Sequence, residues 1–557
     1  MKTSKKHIII ESESAYYYCR NTLYPNSNIV WHVTSPWLLE KLPQLNETVM
    51  SLEEDISLKK QMEMGKHSIA LGDFIAHEID LLFRSFNLSY KLGRALTHRI
   101  QVTLFPFFYK SEMLKNWFDK YKNQGELIVI GNHKLKSVES FDIMVGRFDN
   151  IFANLAHFSN EGGIKVVPFI QEDGAETIEK IDRINNISLC EKVLYVINNL
   201  SLYEVLKILI RKITKINFSF SPWFINKDIH LVSVVKKCAL IDESIDYLSK
   251  ANFKVSIDTK FVDSIQNHST RPPFDISYLK KIFDDGKKNI LSSPNNFINS
   301  SIDIILHRTY RALGYGYDFV ENQKVFEKFI HGKPSNISVL TNGLSQPKER
   351  LFQQILLNNK ISIFSCEHGV TAGTDNTFST YYFGRGLYTD GGDHMMCYSN
   401  SSFRAINKNR RVKSGIVAGA PLVNQKIKYI ALQRLIIQRY LKLPKRKRVI
   451  VFVDNLNRNN MLTPPVFMND LEYYSVTKNI LSNILSKIND QCILKLYPSN
   501  RYLDPDPFVN LVKISKNIKV IQYFDFSELR VAADVVILSS AQSTFGWVFS
   551  IKKPIIF

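Results

Sequence analysis

Ser362-Ile-Phe-Ser-Cys-Glu-His-Gly-Val-Thr-Ala-Gly373 is an apolar run that stops abruptly on a polar tip. The run reads as a buried strand, and Glu367-His368-Gly369 ends it. Open α/β sheets place their ligand chemistry at the carboxyl ends of strands, and a glycine there lets backbone approach closely. Downstream the same pattern returns. Val449-Ile-Val-Phe-Val453 leads into Asp454 and Asn455. Ile493-Leu-Lys-Leu-Tyr-Pro498 ends in Tyr497 and Pro498, with Asn500 and Arg501 just beyond. Ala533-Asp-Val-Val-Ile-Leu-Ser-Ser540 ends in hydroxyls, and Ser550-Ile-Lys-Lys-Pro-Ile-Ile-Phe557 closes the chain on another apolar run.

Between these tips the text is helical. From Val449 the order is strand, helix, strand, helix, strand, helix, strand: 449–453, 476–488, 492–496, 507–515, 519–521, 526–533 and 535–538. Such alternation predicts a parallel sheet with crossover helices. The N-terminal part alternates too. Short strands are expected at 7–10, 29–33, 47–52, 127–130 and 164–170, then at 337–340, up to His368, and at 394–398. The stretch from Leu58 to Trp117 keeps helical spacing throughout. Leu189 to Lys215 reads as amphipathic helices, which pack on a core or lie on a membrane surface. The fold expected is therefore α/β, with two doubly wound lobes and a helical insertion in the first. The division expected is 1–420 (helix-rich at about 55–120 and 185–300), a helix and basic linker at 421–448, and a second lobe at 449–557. That lobe reads as truncated, because it stops on Pro554-Ile-Ile-Phe557 with no helix after it.

At 557 residues the chain can hold several cores. Its 72 Lys and Arg against 52 Asp and Glu leave a formal charge of +20. The basic residues are dispersed, apart from Lys442-Leu-Pro-Lys-Arg-Lys-Arg448. That cluster is either a solvated linker or a patch for an anionic membrane face. No zinc finger, basic zipper or RNA-recognition signature accompanies it, so nucleic acid is not an expected partner. The six cysteines are scattered without a CxxC pair, as in a reducing cytosol. No apolar run reaches the ~18 residues a membrane helix needs. A cytoplasmic protein, peripheral on the inner face of the cell membrane, is the expectation.

The tandem units and their tips resemble the GT-B architecture of nucleotide-sugar transferases, which implies that the two lobes face a cleft. The likeness is more specific from Ser338 onward. There the chain resembles bacterial surface-carbohydrate transferases: the capsule and lipopolysaccharide Kdo transferases, the bacterial sialyltransferases and the CDP-glycerol glycerophosphotransferases. The matching pieces are Glu367-His368-Gly369, Ala418-Gly419-Ala420-Pro421, Lys495-Leu-Tyr-Pro498, and Ser539-Ser540 ahead of Lys553-Pro554. In those families a His-Pro pair usually stands where this chain has Tyr497-Pro498. A phenol donates a hydrogen bond but brings no positive charge near neutral pH.

The resemblance implies a sugar transfer from a CMP-linked donor, Kdo or a sialic-acid-like sugar, to a lipid-linked or glycan acceptor. It implies no cofactor beyond that donor. Ser539, Ser540, Ser543 and Thr544 then bind phosphate at a helix start, or simply cap that helix. Lys495, Tyr497, Pro498, Asn500 and Arg501 form the donor rim. Gly369, Gly419, Pro421, Asp454 and Asn455 line the cleft. His368 is a candidate general base on the acceptor hydroxyl, and a paired Glu367 would raise its pKa. Sialyltransferases carry an acidic-acidic-Gly motif after a first-lobe strand. By that likeness Glu172-Asp173-Gly174 supplies Asp173 as base; as plain sequence it is a turn. Gly131-Asn132-His133 is a similar strand tip. No HExxH or Cys/His cluster appears, so no metal site is expected. Three other readings stand: CDP-glycerol-type polyol-phosphate transfer, a sugar-nucleotide epimerase of the same two-lobed shape, and a non-catalytic assembly protein built on a degenerate transferase.

Overall fold

The computed structural model describes residues 5–133, 141–143, 150–159, 161–170, 230–233, 254–257, 271–331, 337–341, 347–367, 393–406, 412–419, 430–444, 446–454, 470–496, 504, 506–508, 515–522, 524–539 and 544–556. Within them lie three parallel sheets. The first unit runs β1 (Lys6–Ile9), α1 (Glu13–Tyr18), β2 (Ile29–Val33), α2 (Pro36–Gln44), β3 (Thr48–Ser51), α3 (Leu58–Ser85), α4 (Leu92–Tyr121), β4 (Glu126–Ile130), α5 (Ile151–Phe158) and β5 (Ile164–Val167). Its strand order is β3-β2-β1-β4-β5, every pair parallel.

The second unit runs β6 (His230–Ser233), β7 (Lys254–Ile257), α6 (Ile276–Ile290), α7 (Asn296–Glu321), α8 (Gln323–Ile330), β8 (Ile337–Thr341), α9 (Pro347–Asn358), β9 (Ser362–Cys366), β10 (His394–Cys397), α10 (Asn400–Ile406) and β11 (Ser414–Val417). Its order is β11-β10-β9-β8-β6-β7. The third runs α11 (Ile430–Tyr440), β12 (Val449–Val453), α12 (Asp470–Asn479), β13 (Gln491–Lys495), β14 (Ile518–Ile521), β15 (Val535–Leu538), α13 (Thr544–Phe549) and β16 (Ile555–Ile556). Its order, β14-β13-β12-β15-β16, repeats that of the first.

The strands are almost wholly apolar because both faces of a parallel sheet are covered. Successive side chains point to opposite faces. Ile9, Leu127 and Val129 accordingly join one core, and Ile8, Ile10, Ile128 and Ile130 another. In the third sheet Val449, Val451, Val453, Val536 and Leu538 face one way, and Phe452, Cys492 and Leu494 the other. The first and second sheets share a core. Ile337, Val339 and Ile363 pack in the same cluster as α3, α4 and α7. The long helical stretch read at 58–117 is the antiparallel-type pair α3 and α4, broken at Phe86–Lys91 and continuous through Pro106.

The chain has the α/β, parallel-sheet architecture expected. The span 1–420 carries two sheets in succession. Periodicity identifies strands but not their pairing, and the helices between β3 and β4 look the same in sequence whether or not a new sheet follows. Among the described residues no helix is long and apolar enough to cross a membrane. Cys19, Cys366, Cys397 and Cys492 are unbridged and buried. Cys366, with no exposed surface, sits as a small buried hydrophobe.

Candidate functional site

In the third sheet β12 is the first strand of its unit. The chain builds β13 and β14 to one side of it, then crosses over to build β15 and β16 on the other. The carboxyl ends of β12 and β15 therefore flank a gap that no crossover covers, which is where such sheets hold ligands. Val453 and Leu538 are in register. The next residues, Asp454 and Ser539, stand side by side at the rim.

Both are tightly set. The Ser539 amide and hydroxyl both donate to the Val453 carbonyl, at 3.3 and 3.1 Å. This pins the β15 tip to its neighbour. The Asp454 amide donates to the Lys495 carbonyl at 2.9 Å, and its carboxylate accepts from the Tyr473 hydroxyl of α12 at 3.0 Å. Asp454 is buried. Three strand tips and one helix are thus locked together beneath the rim, and Thr544 opens α13 just beyond it.

Lys495 behaves differently from its expected part as a phosphate cation. Its ammonium donates to the carbonyls of Leu496 and Gln522, both at 2.6 Å. Burial pulls its pKa down to about 8. A buried amine held by two carbonyls braces β13 against the residue after β14 and is not free for the rim.

At the β9 tip Glu367 is also fully buried. Its amide donates to the Met396 carbonyl at 2.9 Å, and its carboxylate accepts from the Tyr398 amide at 2.9 Å. It ties β9 to the end of β10. Burial of the Cys397 thiol, and then the Glu367 charge beside it, push that thiol up to about 12. Gly419 follows β11 with φ +77, a left-handed conformation that favours glycine. Glu172, Asp173, His368, Gly369, Pro421, Asn455, Tyr497, Pro498, Asn500, Arg501, Ser540 and Ser543 lie outside the described residues. Among the described residues no group of His, Cys, Asp and Glu is arranged to hold a metal ion.

Two acids that the sequence reading passed over join the first unit to the third. Asp504 accepts from the Glu13 amide at 2.9 Å and the Ser35 hydroxyl at 3.3 Å. Glu53 accepts from the Leu471 amide, at the start of α12, at 3.1 Å. Burial raises the Asp504 pKa to about 6. Burial, and then the Asp470 charge, raise that of Glu53. Lys478 adds an ion pair to Glu40 at 2.5 Å. In sequence Asp504 shows only as Asp504-Pro-Asp506-Pro507 and Glu53 as one of three consecutive acids. Their burial depends on partners more than 400 positions away.

No protein-family model matches the chain, and no curated protein matches it. Several solved structures resemble it. A protein assigned as a UDP-N-acetylglucosamine 2-epimerase from Listeria monocytogenes has 12% identity and a TM-score of 0.34, over 59% of this chain and 79% of that one. The S. aureus MnaA–UDP complex has 12% identity and a TM-score of 0.33, over 59% and 78%. A UDP-glucosyltransferase from Polygonum tinctorium, in complex with 3,4-dichloroaniline, has 10% identity and a TM-score of 0.30, over 61% and 80%. A TM-score of this size is too low to carry an assignment. What stands on the chain's own residues is a set of parallel α/β units with a strand-tip rim at the crossover of the third.

Proposed function

We propose that this chain is a nucleotide-sugar-dependent glycosyltransferase of cell-surface polysaccharide assembly. It takes Kdo or a sialic-acid-like sugar from a CMP-linked donor and passes it to a lipid-linked or glycan acceptor. The observation that carries the reading is the third-sheet rim, where Asp454 and Ser539 meet at the crossover between β12 and β15. The residues that would meet a phosphate there are those that follow in sequence, Ser540, Ser543 and Thr544, since the Ser539 amide and hydroxyl both donate to the Val453 carbonyl. Hydroxyls and free amides at such a turn meet phosphate charge without a metal. Arg501 is the cation left for the role, since Lys495 is committed to backbone. In transfer, His368 or Asp173 takes the proton of an acceptor hydroxyl. The freed oxygen attacks the anomeric carbon, and CMP departs with the bonding electron pair.

The commitment of Lys495, with a tyrosine at 497 in place of the usual histidine, favours one second reading. In it the chain is a transferase relative that binds and assembles without turnover. A thermal-shift panel of CMP, CDP, UMP, UDP, GDP and ADP separates the readings. Stabilisation by CMP or CDP, lost in Ser540→Ala, is expected; at a hundredfold excess over Kd it amounts to about 2.7 kcal/mol. CMP response points to acid-sugar transfer, and CDP response to polyol-phosphate transfer. A response confined to UDP or GDP removes the cytidine donor. Silence toward every nucleotide leaves the non-catalytic reading.

A further inference from the structure

The turn between α3 and α4 meets the start of α6 at one end of the helical layer. Just past α3, Asn87 takes a φ of +60, the left-handed conformation that closes many helices. The Leu88 amide returns to the Phe83 carbonyl at 3.0 Å. Phe83 is buried in the shared core, while Phe86, three places on, lies outside it. The stretch before α6 is laid against this end. The Phe274 ring meets Phe83 edge-on at 5.4 Å and lies 5.9 Å from Phe86. Its carbonyl accepts from the Tyr310 hydroxyl of α7 at 3.0 Å. In the first turn of α6, Tyr278 meets Phe86 edge-on at 6.0 Å.

The result is an apolar tip seated on the core and bare on its outer side. Phe86 is 37% exposed, Tyr278 52%, and Leu81, one turn before the end of α3, 40%. Single exposed apolar residues are ordinary, but adjoining ones mark a surface that meets something else. Around them the chain is basic. Residues 84–91 and 271–281 carry Arg84, Lys91, Arg271, Lys280 and Lys281, all exposed, against one acid, Asp275. That acid caps α6, accepting from the Ser277 amide at 2.9 Å. Glu321 of α7 adds one charge beside Tyr90. Further along α6 the charges balance, two lysines against two acids, with Asp284 paired to Lys287 at 3.5 Å. This chemistry selects among partners. Protein interfaces draw aromatic residues to their centres but deplete lysine. An acidic lipid surface takes both: cations meet the headgroups, Phe and Leu enter the acyl boundary, and Tyr stays at headgroup level.

We infer that this tip, Leu81, Phe86 and Tyr278 with the cations around them, docks on an acidic phospholipid surface. It is a different place from the basic linker at 442–448, whose one leucine, Leu443, is buried. A lipid-linked acceptor would then have its surface at hand, though the tip stands on its own residues and not on the donor reading.

Co-sedimentation of the full chain with vesicles tests this, phosphatidylcholine alone against phosphatidylcholine mixed with phosphatidylglycerol. The mixed vesicles should take up the chain, less so as salt rises, and the neutral ones should leave it in solution. Phe86→Ser with Tyr278→Ser should lower the partition about tenfold. Lys280→Ala with Lys281→Ala should lower it about fivefold for each charge removed. Arg446→Ala with Lys447→Ala, in the linker, should leave it unchanged. Tyr278→Trp keeps an aromatic ring at the tip. Its indole should shift to the blue on binding and be quenched by brominated acyl chains, which decides the matter even if the serine variant fails to fold. No uptake by acidic vesicles, equal uptake by neutral ones, uptake indifferent to the tip variants, or uptake lost in the linker variant would each overturn the inference. The assay holds no nucleotide, so its failure leaves the donor reading standing, and silence in the nucleotide panel leaves the docking surface standing.

Discussion

Lys495 shows how a side chain can look catalytic in sequence and be architectural in space. It stands at a strand tip, in the stretch Lys495-Leu-Tyr-Pro498. Yet its ammonium is enclosed by two carbonyls. Lys495→Met should therefore lower the unfolding free energy by ~1–3 kcal/mol, the range for leaving buried partners unsatisfied. It should not weaken nucleotide binding, whereas Arg501→Ala should. The pH dependence follows from the same burial. The amine titrates at about 8 in the folded chain against 10.5 ordinarily. A depressed lysine gives a contribution that is complete above 10.5 and declines as pH falls through 8. The stability difference between wild type and Lys495→Met, followed by urea denaturation, should grow from pH 7.5 toward pH 10. A constant difference would mean that the lysine is not buried as described.

Among the elements, α3 and α4 form the frame on which the first and second sheets share a core, and a glycine sets their spacing. A Cβ on Gly93 would lie 2.0 Å from the Ala76 carbonyl oxygen, a backbone atom that cannot swing aside. The Gly93 amide also donates to Asp80 at 2.8 Å. Gly93→Ala should push the helices apart and lower stability by ~1–3 kcal/mol, read as a fall in Tm. Gly162→Ala, where nothing lies within 4 Å, should stay within ~0.5 kcal/mol of wild type. Equal behaviour of the two would refute the packing account. At this scale much of the fold was legible. The strands at 7–10, 29–33, 127–130 and 449–453, and the helical stretch at 58–117, follow from apolar runs and spacing. What stayed hidden was which strands share a sheet, since pairing is a long-range property. The rim residues Asp454 and Ser539 were legible as strand tips. The buried pairing of Glu11 with Lys110 was not, because each sits inside a segment whose local pattern is ordinary and the two lie far apart in the chain.

Across the whole molecule, the first and third units meet through acids that would rather be neutral. Asp504 and Glu53 each accept backbone amides from the opposite unit, and both are buried. Burial is the first cause of each raised pKa. A carboxyl raised from 3.8 to about 6 binds its proton more tightly when docked than when exposed to water. Its contribution is therefore complete below pH 3.8 and declines as pH rises through 6. The contact between the units should tighten as pH falls from about 6.5 toward 4, opposite to the trend of salt-bridged carboxylates. Hydrogen exchange at the Glu13 and Leu471 amides, corrected for the intrinsic rate, reads this directly, since both amides are donors in the contact. Protection should rise on acidification in the wild type. In Asp504→Asn with Glu53→Gln the side chains are permanently neutral but keep an acceptor oxygen, so protection should be high and flat. A wild-type profile without slope, or a slope that survives in the double variant, would show that these carboxyls do not control the contact. The third-sheet rim is carried by the unit that this contact holds, through α12, whose Tyr473 bonds Asp454. The same titration should therefore appear in nucleotide affinity, diminished in the double variant.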